Sequence, residues 1–263
     1  MSPDDRFLLD DEAMKRFITQ GYLVVETDFP AAFHEEVCHR IEQVLARRGN
    51  PGNAILEAVP ALQEVYDHPA VRGALVSLLG PEVRMNPHRH CHASLPGTKG
   101  QQWHQDDVNK RHHRLERVLA MYYPQEVTPE MGPTLLLPYT AFRNAPTARM
   151  ASYGSFVHQV TLTVKAGSVA IAHYDLWHRA SANRSDCTRY MLKFLFDRTR
   201  EPTGPSWRAD PERRDRMLTE FIGVWPPMDS QTDAYKHRVI WMNLWNWLCG
   251  DGSTEDSIID RYP

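Results

Sequence analysis

Two short stretches carry the residues with the most chemical content. The first is Gln101-Gln-Trp-His-Gln-Asp-Asp107, in which His104 and Asp106 stand two residues apart. On a β-strand that spacing points both side chains to one face, so an imidazole and a carboxylate can grip one metal ion from the same side. The second is Ala166-Gly-Ser-Val-Ala-Ile-Ala-His-Tyr-Asp-Leu-Trp-His178, an apolar strand with His178 just beyond its end. Arg189 follows eleven residues later inside Thr188-Arg-Tyr-Met-Leu-Lys-Phe194, and a hairpin through Ala182–Asp186 can return that strand beside His178. Two histidines and one carboxylate on one face leave coordination positions open, as in non-haem Fe(II) oxygenases. An arginine close behind can pair bidentately with the distal carboxylate of a dicarboxylate cosubstrate. Taken alone, His104-Gln-Asp106 also fits an exposed strand with two polar side chains.

Something must hold these residues, and the sequence predicts helices at both ends of the chain with strands between them. Met14, Phe17 and Ile18 follow an i, i+3, i+4 pattern that Gly21 closes. Tyr22–Glu26 reads as a strand. Val37, Ile41, Val44 and Leu45 mark a helix over about 32–47, and Asn50-Pro-Gly-Asn53 breaks it. Pro69 opens a helix with Val71, Leu75, Leu78 and Leu79 inward, closed at Gly80-Pro81. Strand-like runs then cover 83–95, 118–123, 134–137, 156–164, 168–172 and 190–196, separated by turn residues such as Pro96-Gly97 and Gly132-Pro133. Many short strands at this spacing predict a sandwich or barrel. Beyond a Pro/Gly-rich connector over 201–207 and a charged run over 208–216, Ile240, Trp241, Leu244, Trp245 and Leu248 form the apolar stripe of a last helix.

Composition narrows the classes. At 263 residues the chain can bury a full core without staples, and no repeat or composition shift marks a boundary, so one domain over 1–263 is expected. Its parts are a helical N-terminal portion to about 80, a β core over 81–200 and a helical C-terminal portion from 201. A net charge of -3 does not support a nucleic-acid binder. No apolar run reaches membrane-span length, and the acidic N-terminus is unlike a signal peptide. Cys38, Cys91, Cys187 and Cys249 form no C-x-x-C pair, which argues against a zinc ribbon or a disulfide scaffold and for a cytoplasmic setting. Burial is the expected role of Cys187, since no motif frames it as a nucleophile.

The chain resembles the phytanoyl-CoA dioxygenase family of Fe(II)- and 2-oxoglutarate-dependent oxygenases. The likeness is carried by Phe17-Ile-Thr-Gln-Gly-Tyr-Leu-Val-Val25, Trp103-His-Gln-Asp106 and Glu130-Met-Gly-Pro-Thr-Leu-Leu-Leu-Pro138, then by Gly167-Ser-Val, Trp177-His178, Asn183, Ser185 and Arg189. It implies a double-stranded β-helix, a jelly-roll barrel of the cupin type wrapped by helices. It implies that His104, Asp106 and His178 hold Fe(II), that Arg189 binds the far carboxylate of 2-oxoglutarate, that O₂ is the oxidant, and that Tyr122 contacts the cosubstrate. The halogenases of the family replace the metal-binding aspartate by a small residue, so Asp106 favours hydroxylation, or a related oxidation, of an unactivated carbon. Two departures stand out. Ala180 occupies a position where relatives often carry a serine, and Ser94 is the nearest counterpart of a lysine common in the strand before the metal motif.

Other features bear on the substrate. His88, His90 and His92 alternate on one face of a predicted strand and fit a pocket wall, a second metal site or a polar outer face. Lys110-Arg-His-His-Arg114 follows the metal motif; a solvated face is the first reading of the run, and with Arg89 and Lys99 it can also attract a small anionic metabolite. Asn109 either bonds substrate or ends the strand. Asp107 is a slipped ligand candidate, ranked below Asp106 because its side chain leaves by the opposite strand face. The competing functions are a non-catalytic jelly-roll binding protein and a metal-dependent hydrolase or isomerase using the same ligands, for which Arg189 has no purpose.

Overall fold

A helix cap and a left-handed glycine frame the first element. Asp10 accepts a hydrogen bond from the Ala13 N–H, α1 (Asp11–Gln20) buries Met14, Phe17 and Ile18, and Gly21 ends it at φ 85°. The computed structural model describes residues 5–106, 113–143, 154–227 and 230–251. Chain order continues with β1 (Tyr22–Glu26), α2 (Ala31–Arg48), α3 (Ile55–Ala58), α4 (Ala61–Asp67), α5 (Pro69–Leu79), β2 (Arg84–Ser94) and β3 (Arg117–Tyr123). Then come β4 (Thr134–Leu136), β5 (Val160–Thr161), β6 (Ser168–His173), β7 (His178–Ala180), β8 (Arg189–Asp197), α6 (Arg214–Ile222) and α7 (Gln231–Leu248).

The strands form two antiparallel sheets. The larger has the order β1-β6-β3-β8-β2 and the smaller the order β5-β4-β7. Isolated bridges between Val127 and Val164, Met131 and Asn183, and His104 and His178 extend the pairing beyond the named strands. The fold is a double-stranded β-helix with helices before and after it. One face of the larger sheet is apolar and meets the N-terminal helices. There Tyr66 of α4 stacks on Phe194 of β8 with ring centroids 4.4 Å apart, and its hydroxyl donates to the Leu192 carbonyl. The other face turns toward the smaller sheet.

The C-terminal helices close on α1. Asp11 is buried, accepts from Trp207 Nε1 at 2.7 Å and from the Asp210 N–H at 3.1 Å, and Trp207 packs on Trp245 of α7. Glu12, Lys15, Arg213 and Glu220 join α1 to α6 as an ion-pair cluster. Among the described residues, no helix is long and apolar enough to cross a membrane.

The structure departs from the sequence expectation in four places. The strand expected over 156–164 shrinks to β5, because His158 adopts a positive φ of 67° and a turn at Phe156–Gln159 breaks the extended run. β7 has only three residues and too little apolar pattern to be read. α3 and α4 follow the Asn50 break where no helix was expected. α6 begins inside the charged run, with Met217 and Phe221 one turn apart and buried.

Candidate metal centre

His104 and His178 are brought together by their backbones. Each donates its N–H to the carbonyl of the other, at 3.1 and 3.0 Å, which sets the two rings 4.4 Å apart. His104 is a single bridge residue and Asp106 sits at a bend, so the motif does not lie in a regular strand, yet both side chains reach the same point. Ring Nδ1 of His104 lies 2.9 Å from the Gln102 carbonyl, and that of His178 lies 2.8 Å from the Leu176 carbonyl. A carbonyl only accepts, so each Nδ1 is the donor and each Nε2 keeps its lone pair for a ligand. Asp106 Oδ2 lies 3.5 Å from His178 Nε2. One ligand atom from each of the three residues falls within 4.8 Å of the others, and among the described residues no other group of His, Cys, Asp or Glu converges so.

The electrostatics suit a divalent cation. Burial pushes the His178 imidazole down to about 4, against the pull of the Asp106 charge. Burial would raise Asp106, but its neighbours His178 and His104 and the charged, hydrogen-bonded Lys193 outweigh it and hold the carboxyl below its ordinary value. At neutral pH His178 is therefore neutral and Asp106 ionised, the forms that bind metal. Lys193 Nζ sits 3.1 Å from both Asp106 oxygens. The three side chains fit a 2-His-1-carboxylate set with an open side.

Arg189 lies at the far end of the same cavity. It is 2% exposed, and its Nη2 donates to the Gly132 carbonyl at 2.9 Å. Its Nε and Nη1 are buried with no partner among the described residues. Leaving such donors unfilled is costly, so the site calls for a small acid. Gly132 has φ +72°, and a Cβ there would meet the Ser181 carbonyl at 2.8 Å. The cavity, of about 50 Å³, is lined by the two histidines, Arg189, Thr134, His92, Met121, Met191, Lys193 and others.

Tyr122 is not brought to this cavity. Its hydroxyl is 2.8 Å from His34 Nδ1, on the helix-facing side of the sheet. The neighbouring Tyr123 emerges on the other side by strand alternation, and its hydroxyl donates to Thr134 Oγ1 at 3.0 Å. Ser94 pairs in register with Arg189 and is buried, but it brings no charge. The Ala180 N–H bonds Gln101 Oε1, and Ser181 turns to the Pro133 carbonyl.

The histidine row divides along its length. His92 lines the cavity with Nε2 buried and unpaired among the described residues, and burial pushes it down to about 3. His90 is 5.6 Å from it and His88 is 4.2 Å from His90, ring to ring. Arg89 leaves by the opposite face and sits over Phe194, away from the cavity. Arg114 pairs with Glu201 at 3.4 Å. Asp107, Asn109, Lys110, Arg111 and His112 lie outside the described residues. Cys187 is exposed rather than buried, with its thiol donating to Asp186. Sequence reasoning missed Lys193 and Tyr123. The signal for Lys193 was present: Arg189, Met191 and Lys193 follow a period of two, so an inward arginine makes the lysine inward as well.

The family model for phytanoyl-CoA dioxygenase (PhyH) matches residues 17–191, about two thirds of the chain. The chain belongs to the phytanoyl-CoA dioxygenase family. It is therefore an Fe(II)- and 2-oxoglutarate-dependent oxygenase that uses O₂. Solved structures of such enzymes share the fold at low identity. The carbocyclase SnoK from nogalamycin biosynthesis is 19% identical, with a TM-score of 0.62 over 88% of this chain and 98% of that one. HygX from Streptomyces hygroscopicus, solved with nickel and 2-oxoglutarate, is 16% identical at a TM-score of 0.61, over 76% and 90%. EctD from S. alaskensis, solved with 2-oxoglutarate and 5-hydroxyectoine, is 16% identical at a TM-score of 0.62, over 77% and 82%. No curated protein matches the chain.

Proposed function

We propose that His104, Asp106 and His178 hold the Fe(II), that Arg189 binds the distal carboxylate of 2-oxoglutarate, and that the enzyme hydroxylates a carbon of a small anionic metabolite. The observation that carries the ligand assignment is the convergence of their donor atoms within 4.8 Å. The two unfilled buried donors of Arg189 support its role. Bound iron supplies the redox centre at which O₂ is activated with 2-oxoglutarate as reductant. The protein's part is placement. The carbonyls of Gln102 and Leu176 fix the ring tautomers, Gly132 aims Arg189, and the apolar Met121 and Met191 exclude water beside it. Tyr123, in place of Tyr122, acts through Thr134, which lines the cavity and accepts its hydroxyl.

The whole chain is one domain in this reading, since a single apolar cluster runs from Met14 through the larger sheet to Leu248. All four cysteines are unpaired, which supports a reducing, cytoplasmic setting. The partner is a small molecule, with neither nucleic acid nor membrane.

Anaerobic titration of Fe(II) and 2-oxoglutarate tests the assignment through the visible charge-transfer band of the ternary complex. Wild type is expected to give the band, and Arg189→Ala to need at least tenfold more 2-oxoglutarate for it. A band of unchanged strength and 2-oxoglutarate dependence in Asp106→Ala would refute the ligand set.

A further inference from the structure

We propose that Lys193 is a specificity-determining residue that binds an oxyanion of the primary substrate, a carboxylate, phosphate or sulfate group, beside the metal. The proposal rests on the reading of His104, Asp106 and His178 as metal ligands. The first observation is the position of the ammonium group. Lys193 is 8% exposed, and its Nζ touches both oxygens of Asp106 at 3.1 Å. No carboxylate lines the cavity itself among the described residues, so Asp106 at its edge is the counter-charge.

A metal ion claims that same carboxylate. Charge counting then decides what Lys193 needs. A divalent metal and Arg189 are balanced by Asp106 and the dianionic cosubstrate, which leaves the lysine with one positive charge and no match. A buried unmatched charge is unfavourable, and an anion arriving with the substrate removes the imbalance.

The geometry gives the side from which it arrives. Lys193 stands four residues from Arg189 on β8, roughly 13 Å along the strand at the usual rise. The two cations therefore serve opposite ends of the cavity. His90 lies directly across from Lys193 in the β2–β8 register, and His92 across from Met191. His88, exposed, continues the row outward. These rings form a polar wall from solvent to the metal-side lysine, and the unpaired Nε2 of His92 offers a buried polar contact beside it.

The test uses the full chain loaded with Mn(II) and 2-oxoglutarate, which binds without turning over. Sodium sulfate is titrated calorimetrically, with ionic strength held constant by sodium chloride. Wild type is expected to bind one sulfate per chain. At saturating Mn(II), Lys193→Met and Lys193→Gln are expected to bind it at least tenfold more weakly, while their affinity for 2-oxoglutarate changes less than threefold. Retained cosubstrate binding also reports that the variants are folded. Equal sulfate binding in wild type and both variants, or none in wild type, overturns the proposal. A tenfold loss of 2-oxoglutarate affinity in either variant also overturns it, because the lysine would then serve the cosubstrate. The ligand assignment fails separately, if Asp106→Ala keeps wild-type Mn(II) affinity.

Discussion

Each histidine of the candidate centre has one nitrogen already spent on a carbonyl, so the ring cannot turn over to present the other without giving up that bond. Replacing Asp106 by Ala should therefore cost more metal affinity than the ~10–100-fold typical of losing an outer partner, with oxidation abolished; Fe(II) binding under anaerobic conditions measures the first and succinate release the second. The two adjacent tyrosines should separate cleanly. Tyr123→Phe removes a hydroxyl beside Thr134 and is expected to raise the KM for 2-oxoglutarate about fivefold, the worth of roughly 1 kcal/mol. Tyr122→Phe should leave that KM unchanged and lower stability by about 1 kcal/mol, since His34 loses its buried partner. Equal effects on KM would deny the assignment of sides. That His104, Asp106 and His178 converge, with Arg189 in the same cavity, was legible from the family pattern and the chain order rather than from strand geometry, since Asp106 sits at a bend. The choice between Tyr122 and Tyr123 was not, because an apolar run buried on both faces carries no alternation to read.

Gly132 shows how a loop beyond any strand controls the arginine that opens β8. Its carbonyl accepts from Arg189, and its positive φ and the close Ser181 carbonyl leave no room for a side chain. Gly132→Ala should shift that carbonyl and weaken 2-oxoglutarate binding by about tenfold, while Fe(II) binding at the other end of the cavity holds; calorimetry with each ligand distinguishes the two. Wild-type affinity for 2-oxoglutarate in this variant would mean that the loop does not aim Arg189. Elements with a strong period were readable, such as α1, α5 and the long strands β2 and β8. β7 was not, because its three residues owe their extended form to β4 and to the His104 bridge, which are distant in sequence. α6 was hidden by its charges: its apolar side packs on Trp245 of α7 through Phe221, and its ion pairs tie it to α1.

Buried histidine gives the molecule a signature in acid. His237 of α7 is buried against Trp241, and burial pushes it down to about 4. The unfolded chain binds that proton near pH 6.5 and the folded chain does not, so the contribution is complete above about pH 6.5 and is lost as pH falls toward 4. Urea unfolding should show stability declining over that window by on the order of 3 kcal/mol from this group, and His237→Asn should flatten the decline; an unchanged slope would clear His237. Asp11→Ala should destabilise by about 2 kcal/mol, because the Trp207 indole loses its buried acceptor. A single unfolding transition, seen alike by tryptophan fluorescence and circular dichroism, is the outcome expected for one domain. β8 has a further consequence. Its even and odd positions belong to different tasks, with Tyr66 packed on Phe194 on one side and Arg189, Met191 and Lys193 turned to the cavity on the other. Descendants of this gene can trade side chains at 191 and 193 and acquire new substrates while the helices keep their seat. Insertion of one residue within the strand would exchange the two sets at a stroke, so diversification here should proceed by substitution, with strand length held fixed.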